Sequence, residues 1–313
     1  TGFDEFIEDS DLYADYILPN HTFLERWIAA PVYPSVGYPM LAVGQPTVEP
    51  LYDTRASGDV LIQLAHQIGG APAASFPWKD YAEFLHFLTA GLMASERGSI
   101  SAATADEFWN ELAARGVWAA SPYIFAGGPE GEAEQWNSVL VTPSGKFEFT
   151  PQALEQIASL APPYYEPPVY AGQEDEFPFN VQLFTLMSQG VGPGASNLPH
   201  LHSLYGLHVK QFWSNWLEID PETAHEMGIE DEDKVWVESP AGRFQLPARV
   251  FPGGLHGIVG VPSGLGHIAG GQWSAGIGAN PNHLVSSDLV DKLTGLVARQ
   301  GMRVRVTKAE EGN

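Results

Sequence analysis

Apolar residues along this chain fall into two rhythms, and the change between them divides it. The first half is spaced for helices. Tyr81, Phe84, Leu85, Leu88 and Leu92 recur at three- and four-residue steps and predict an amphipathic helix. Asp59–Ile68 is expected to be helical from near Ser57 to Gly69-Gly70. Ala105–Ala114 is expected to be another helix, with Thr104 as its N-cap and Gly116 as its stop. Tyr16-Ile17-Leu18 reads as a short strand halted by Pro19. Residues 30–56, rich in Pro and Gly, read as irregular crossing structure. Val139–Phe149 reads as a hairpin turning at Pro143-Ser144-Gly145, and Pro151–Ser159 as a short helix.

From about residue 179 the rhythm becomes two. Val181–Leu186, Lys234–Glu238, Arg243–Val250 and Gly257–Val261 are short β runs divided by glycine turns, the spacing of a small barrel. Residues 161–178 carry prolines, glycine and charge without periodicity and read as a linker. The expected organisation is therefore residues 1–160, a linker at 161–178, and a barrel at 179–313. There is no internal repeat of fixed period.

Composition narrows the function. The 313 residues carry 38 Asp+Glu against 15 Lys+Arg, a net charge of −23, which argues against nucleic acid or an anionic membrane as partner. A halophilic or acidic-cytosol origin would account for the charge equally well. Cysteine is absent, so disulfides, thiolate metal sites and iron–sulfur ligation within this chain are excluded. No apolar run reaches the length of a membrane span. The chain starts at Thr1, already in the rhythm of an ordered domain, and reads as a piece of something longer.

The stretch EIDPETAHEMGIEDEDKVWVESPAGR, Glu218–Arg243, concentrates nine carboxylates. A metal reading fails on spacing. His225-Glu226 has no second His to complete HExxH, and the run Glu230–Asp233 lacks the ligand order of an EF-hand. Asp220 as N-cap with Pro221 in the first turn predicts a short helix closed by Gly228. An acidic turn, the strand Val235-Trp236-Val237 and a turn at Ser239–Gly242 should follow.

This stretch resembles the C-terminal domain of molybdopterin-dependent oxidoreductases of the dimethyl-sulfoxide-reductase superfamily. The matching positions are Pro221, Ala224, Gly228, Ile229, Asp231, Asp233, Val235, Val237, Ser239 and Gly242. Three further segments resemble the family's motifs in order. They are Ala14–Pro19 with Thr22, Leu24 and Glu25; Thr142–Glu148; and Gly278–Asn282 with Thr294-Gly295 and Val304–Val306. The resemblance implies an α/β plus all-β architecture: the end of an α/β cofactor-binding domain and a helical crossing segment, then a double-psi β-barrel. It implies bis-molybdopterin guanine dinucleotide with molybdenum or tungsten. The metal ligand is expected upstream of Thr1, and a 4Fe-4S cluster in that upstream portion or in a partner. The implied partners are the N-terminal remainder of the enzyme, an iron–sulfur electron-transfer subunit and a membrane quinone-reactive subunit. A periplasmic location in anaerobic respiration is implied as well.

Few basic residues are available, so amides, hydroxyls and glycine loops would have to hold such a cofactor. Three loops are candidates. Thr185–Gln189, with Thr185, Ser188 and Gln189, leads into Gly190, Gly192 and Gly194, or is simply a strand exit. Ser263–Trp273 offers His267 and Gln272 among glycines, although a lone His there is as readily a turn cap. Asn280 and Asn282 suit a heterocycle edge but also favour plain turns. Asn215, between Trp213 and Trp216, is either a cofactor contact or a cap inside an aromatic cluster. His200, His202 and His208 lack a companion carboxylate or Cys and read as a loop rather than a zinc site. Neither a G-x-S-x-G elbow nor a phosphate-binding G-x-x-x-x-G-K loop is present. The function expected is two-electron redox of a small sulfur-containing or oxyanion substrate, this segment alone being inactive. Two alternatives stay open: a molybdenum-free structural subunit of a quinone-linked complex, or a free-standing binding module.

Overall fold

The computed structural model describes residues 1–32, 38–95, 98–120, 140, 142–151, 154, 164–189, 193–204, 206, 210–291 and 294–310. They fall into two compact units, residues 18–166 and residues 1–17 with 167–313. The chain opens with β1 (Gly2–Asp4) and reaches β2 (Ile17–Pro19) after a 3-10 turn. The first 17 residues therefore pack with the C-terminal unit, a placement the sequence rhythm did not anticipate.

In the 18–166 unit, β3 (Ile28–Val32), β4 (Met40–Gly44) and β5 (Val117–Ala119) form an antiparallel sheet in the order β3-β4-β5. The expectation of irregular structure over residues 30–56 is corrected here. Pro31 is tolerated because β3 is an edge strand, pairing only with β4. Four helices lie here: α1 (Ser57–Ile68), α2 (Gly70–Ser75), α3 (Tyr81–Ala90) and α4 (Ala105–Arg115). Three of them stand at the expected places; the short α2, right after the expected stop at Gly69-Gly70, was not expected. The Thr104 side chain accepts the Glu107 N–H at 3.2 Å, and Glu107 accepts the Ala103 N–H at 3.0 Å. Gly116, at φ +72°, ends α4 by donating its N–H to the Leu112 carbonyl. Phe108 and Leu112 point from α4 into a small core with Val43, Ile100, Trp118 and Ala120. The expected hairpin at Val139–Phe149 is also corrected. Among its described residues there is a turn, with the Gly145 N–H on the Thr142 carbonyl at 2.9 Å, and no strand. The helix expected at Pro151–Ser159 lies almost wholly outside the described residues.

The second unit is built on a closed six-stranded barrel. Its elements are β6 (Phe179–Thr185), α5 (Pro193–Ser196), α6 (Pro199–His202), β7 (Leu217–Ile219), α7 (Pro221–Glu226), β8 (Lys234–Ser239), β9 (Gly242–Val250), β10 (Ile258–Ser263) and β11 (Arg303–Lys308). The ring runs β10-β6-β11-β8-β9-β7. Every second residue faces inward, which explains the period-two sequence: Phe179, Val181 and Leu183; Val235 and Val237; Phe244, Leu246 and Ala248; Val259 and Val261; Val304 and Val306. Ala224 and Ile229 from α7 and its exit join this core.

The signature stretch folds as its spacing requires. Asp220 accepts the Thr223 N–H at 3.1 Å, Pro221 occupies the first turn, and Gly228 turns the chain at φ +63°. The acidic run that follows is held by internal ties. Asp231 meets Arg249 at 2.6 Å, Asp233 meets Lys308 at 2.6 Å, and Asp231 accepts the Val250 N–H. It is a braced turn.

Part of the segment read as a linker is barrel structure. The Ala171 N–H donates to the Gly301 carbonyl at 2.8 Å, the Arg303 N–H donates to the Ala171 carbonyl at 2.9 Å, and Phe177 is buried. Beside it, β6 and β11 share only the register pairs Asn180–Arg303 and Phe179–Val304. Beyond them the Gln300 side chain continues the ladder, accepting the Leu183 N–H at 3.2 Å and donating to the Leu183 carbonyl at 2.9 Å.

Candidate cofactor site at one barrel end

Strand directions gather the candidate loops at one end of the barrel. β6 and β10 are parallel neighbours in register from Asn180–Ile258 to Thr185–Ser263, so the loops after Thr185 and Ser263 leave side by side. β7 runs antiparallel to β10 and parallel to β9, which brings its entry, at Asn215, to the same end. Thr185 is exposed at the strand terminus, Ser188 is half-buried and Gln189 is buried. Neither the Ser188 Oγ nor the Gln189 Oε1 has a hydrogen-bond partner among the described residues, although both atoms are shielded from solvent. A buried polar atom left without a partner costs on the order of 1–3 kcal/mol, so two on one turn require an explanation. Gly190 and Gly192 lie outside the described residues.

The second loop is shaped by Gly264 at φ +111° and Gly266 at φ +81°. A Cβ at Gly266 would fall 1.9 Å from the Asn280 nitrogen, so the loop packs backbone to backbone against residues 279–280. That approach carries His267 to the region of Asn280. His267 Nδ1 lies 2.9 Å from the Asp9 carboxylate, and its Nε2 is buried without a partner among the described residues. Asp9 also accepts the backbone N–H groups of Ile268 at 3.0 Å and Ala269 at 2.9 Å. Burial works to raise the Asp9 pKa. The His267 hydrogen bond, the Ala269 N–H, the field of His267 and the Ile268 N–H outweigh it and hold the carboxyl below its ordinary range. Nearby, burial and then the charges of Asp4 and Asp11 push the Glu8 carboxyl up.

Asn215, read from sequence as either a cofactor contact or a cap, engages backbone on two segments. It is wholly buried, and its amide is saturated by backbone. Nδ2 donates to the carbonyls of Pro262 at 2.9 Å and Ala279 at 2.8 Å, while Oδ1 accepts the Ala279 N–H at 2.9 Å. It clasps the loop that presents Asn280. The Asn280 side chain caps the 3-10 turn Pro281–Leu284 through the Asn282 N–H at 3.0 Å, and Asn282 is exposed, as is Gln272.

The histidine loop is also clarified. His202 is buried, hydrogen-bonded through Nε2 to the Ser196 carbonyl, and stacked on Trp213 with 4.6 Å between ring centroids. Trp213 in turn meets Trp273, whose N–H donates to the Asn197 side chain at 3.1 Å, and Ser196 and Ser274 share a 2.6 Å hydrogen bond. The cluster joins the loops after β6 and β10. His208 lies outside the described residues, and among those described no set of three ligand side chains could hold a metal. Sequence reasoning missed Asp9, Asn197 and Arg299, whose guanidinium lies 3.4 Å from the Ser263 hydroxyl. Only tertiary pairing reveals them.

One barrel end thus gathers glycine loops, asparagines and buried polar atoms that lack partners among the described residues. Residues 201–302 match the Molydopterin dinucleotide binding domain. The chain is similar to the molybdopterin-containing subunit of the arsenate respiratory reductase of Shewanella sp. (strain ANA-3), at 26% identity over 96% of this chain and 40% of that protein. It is similar also to the molybdopterin-containing subunit of the thiosulfate reductase of Salmonella typhimurium, at 28% identity over 87% of this chain and 35% of that protein. Among solved structures, the acetylene hydratase of Pelobacter acetylenicus superposes with a TM-score of 0.68 at 21% identity, covering 97% of this chain and 39% of that one, a likeness of fold. The chain is thus similar to molybdopterin-containing subunits over most of its length, with the matched dinucleotide-binding domain at residues 201–302. It spans about two-fifths of the length of these relatives.

Proposed function

We propose that this chain is the dinucleotide-holding part of a bis-molybdopterin guanine dinucleotide oxidoreductase, with molybdenum or tungsten, acting on a small sulfur-containing or oxyanion substrate. The observation that carries the reading is the set of shielded atoms on adjoining loops that lack partners among the described residues: Ser188 Oγ, Gln189 Oε1 and His267 Nε2. A group rich in ring nitrogens, exocyclic amines and phosphate oxygens has the complementary donors and acceptors. When bound, the cofactor supplies a metal that changes oxidation state by two. The chain's own residues bind and orient it. Thr185, Ser188 and Gln189 offer hydroxyls and an amide, His267 a ring nitrogen, and Asn280, Asn282 and Gln272 amides at the rim. Arg299 supplies a cation where phosphate charge would otherwise be unopposed, and Asn215 holds the 279–280 loop in place.

The barrel is read as a double-psi barrel, and residues 18–160 as the end of the preceding cofactor domain with its crossing segment. The names of the relatives, reductases of arsenate and thiosulfate, support the substrate class. The resemblance of the sequence motifs to the family supports, as partners, an iron–sulfur electron-transfer subunit and a quinone-reactive subunit, at the periplasmic face. No described helix is long and apolar enough to cross a membrane. The test is metal content and oxidised-pterin fluorescence of the intact protein, with Gln189→Ala and His267→Ala alongside. Stoichiometric metal and pterin, lost in the variants while circular dichroism is unchanged, is expected. Absence of both from the parent overturns the enzyme reading in favour of a metal-free docking subunit.

A further inference from the structure

We propose that Asp9 is a positioning residue for the cofactor site, fixing which nitrogen of His267 is offered to the ligand and clamping the loop that carries it. The inference rests on the cofactor reading above for what His267 meets, but its physical core is independent of that reading. The two residues lie 258 positions apart and meet at 2.9 Å. The Asp9 carboxylate has its second oxygen on the N–H groups of Ile268 and Ala269, and the Gly270 N–H donates to the Ile7 carbonyl at 2.6 Å. Residues 7–9 thus grip four consecutive positions of the glycine loop, at its most permissive backbone.

The direction of the His267 bond follows from charge. An ionised carboxylate can only accept, so the ring must donate from Nδ1. In the neutral imidazole this leaves Nε2 with its lone pair, and Nε2 is the atom that is buried and unpartnered. Gly266, one residue before His267, seats the loop backbone against residues 279–280. The ligand feature that the Nε2 lone pair suits is an N–H donor on a heterocycle, and an aspartate behind the ring strengthens the acceptor by fixing its tautomer. The other carboxyls of this corner, Glu8, Asp4 and Asp11, belong to the same N-terminal segment, and Asp11 is tied to the Glu8 N–H at 3.0 Å.

The experiment replaces Asp9 by Asn, which keeps an oxygen for the Ile268 and Ala269 N–H groups but presents an N–H₂ to the ring. His267 must then accept at Nδ1 and carry its proton on Nε2. Nitrogen-15 spectra of the ring-labelled full chain at mildly alkaline pH, with His267 assigned by its loss in His267→Gln, read the tautomer directly. The Nδ1–H form is expected in the parent and the Nε2–H form in Asp9→Asn. An Nε2–H parent, or an unchanged tautomer in Asp9→Asn, overturns the proposal. In the intact protein, pterin retention should fall about tenfold in Asp9→Asn, with Asp9→Glu restoring most of it. Asp9→Glu also serves if Asp9→Asn fails to fold, since it must keep the parent tautomer. Normal pterin retention in His267→Gln would sink the cofactor role of His267 while leaving the tautomer result standing. The two failures are thereby separable.

Discussion

The barrel and the 18–166 unit differ in how completely each encloses its own apolar residues. In the barrel every strand contributes side chains to one interior, and the twelve strand positions named above are buried together with Leu217 and Ile219 of β7. In the 18–166 unit the described core gathers around Phe108, Leu112 and Trp118, while Leu61, Leu64 and Ile68 stand exposed at helical spacing along α1. A closed ring has no edge to cover and no second face to hide. A three-stranded sheet with helices has both, and more of its apolar surface is left in contact with water. The lesson is that helical periodicity marks a face, whereas alternation around a closed ring marks an interior.

That contrast can be broken by truncating one leucine in each region. Leu246→Ala, inside the barrel, should cost about 2–5 kcal/mol in urea unfolding of the full chain. Asn215→Ala comes next. It strips partners from two carbonyls and one N–H in a fully buried place, at about 1–3 kcal/mol for each group that finds no substitute. Its local signature is faster hydrogen exchange at Ala279. Asp220→Ala removes the cap of α7 and should cost about 1 kcal/mol by the same assay. Leu61→Ala, on the exposed side of α1, should change stability by less than about 0.5 kcal/mol. Equal costs at Leu246 and Leu61 would refute the contrast.

Acid sharpens the comparison within the barrel unit. Asp9, Asp220 and Asp233 have carboxyls held below their ordinary range. For Asp220 the Thr223 hydrogen bond leads, and for Asp233 the Lys308 hydrogen bond. A depressed carboxyl stabilises the fold above its unfolded value, and that stability is lost as pH falls through the folded value, below 3.8. Asp4 and Glu8 are displaced the other way, first by burial and then by neighbouring carboxylates, so they destabilise at neutral pH. Their penalty is relieved as pH falls toward 4.5, the ordinary value for Glu8. The melting temperature should therefore rise on mild acidification, pass a maximum near pH 4.5, and drop below pH 3.8. A monotonic decline from neutrality would contradict the assigned signs.

What the sequence made legible was local. Thr104, Asp220, Gly116 and Gly228 announce their caps and stops because each acts within a few residues of itself. The barrel strands were readable because alternation is also local. The strands at Ile28–Val32 and Met40–Gly44 were not, because prolines and glycines mask a pairing made across the sheet. Within the candidate site, the glycine loop was visible but its grip by Asp9 was not, since no spacing rule links positions 258 apart. Asn215 was visible as unusual, yet its service to Pro262 and Ala279 is a product of folding.

The Gln300 side chain, which continues the ladder where β11 stops short, gives the ring a predictable place to breathe. At that seam one strand is joined to a side chain, which can rotate away, instead of to another backbone. Local opening begins where the cooperative unit is thinnest. The Leu183 amide should therefore trade its proton for solvent deuterium sooner than the Val181 amide, which bonds to the Met302 carbonyl in the same strand. Because Leu183 lies two residues before Thr185, a fluctuation there would reach the loop of Ser188 and Gln189 first. The barrel's rigidity then has a gradient along β6, and the candidate cofactor end lies on its softer side.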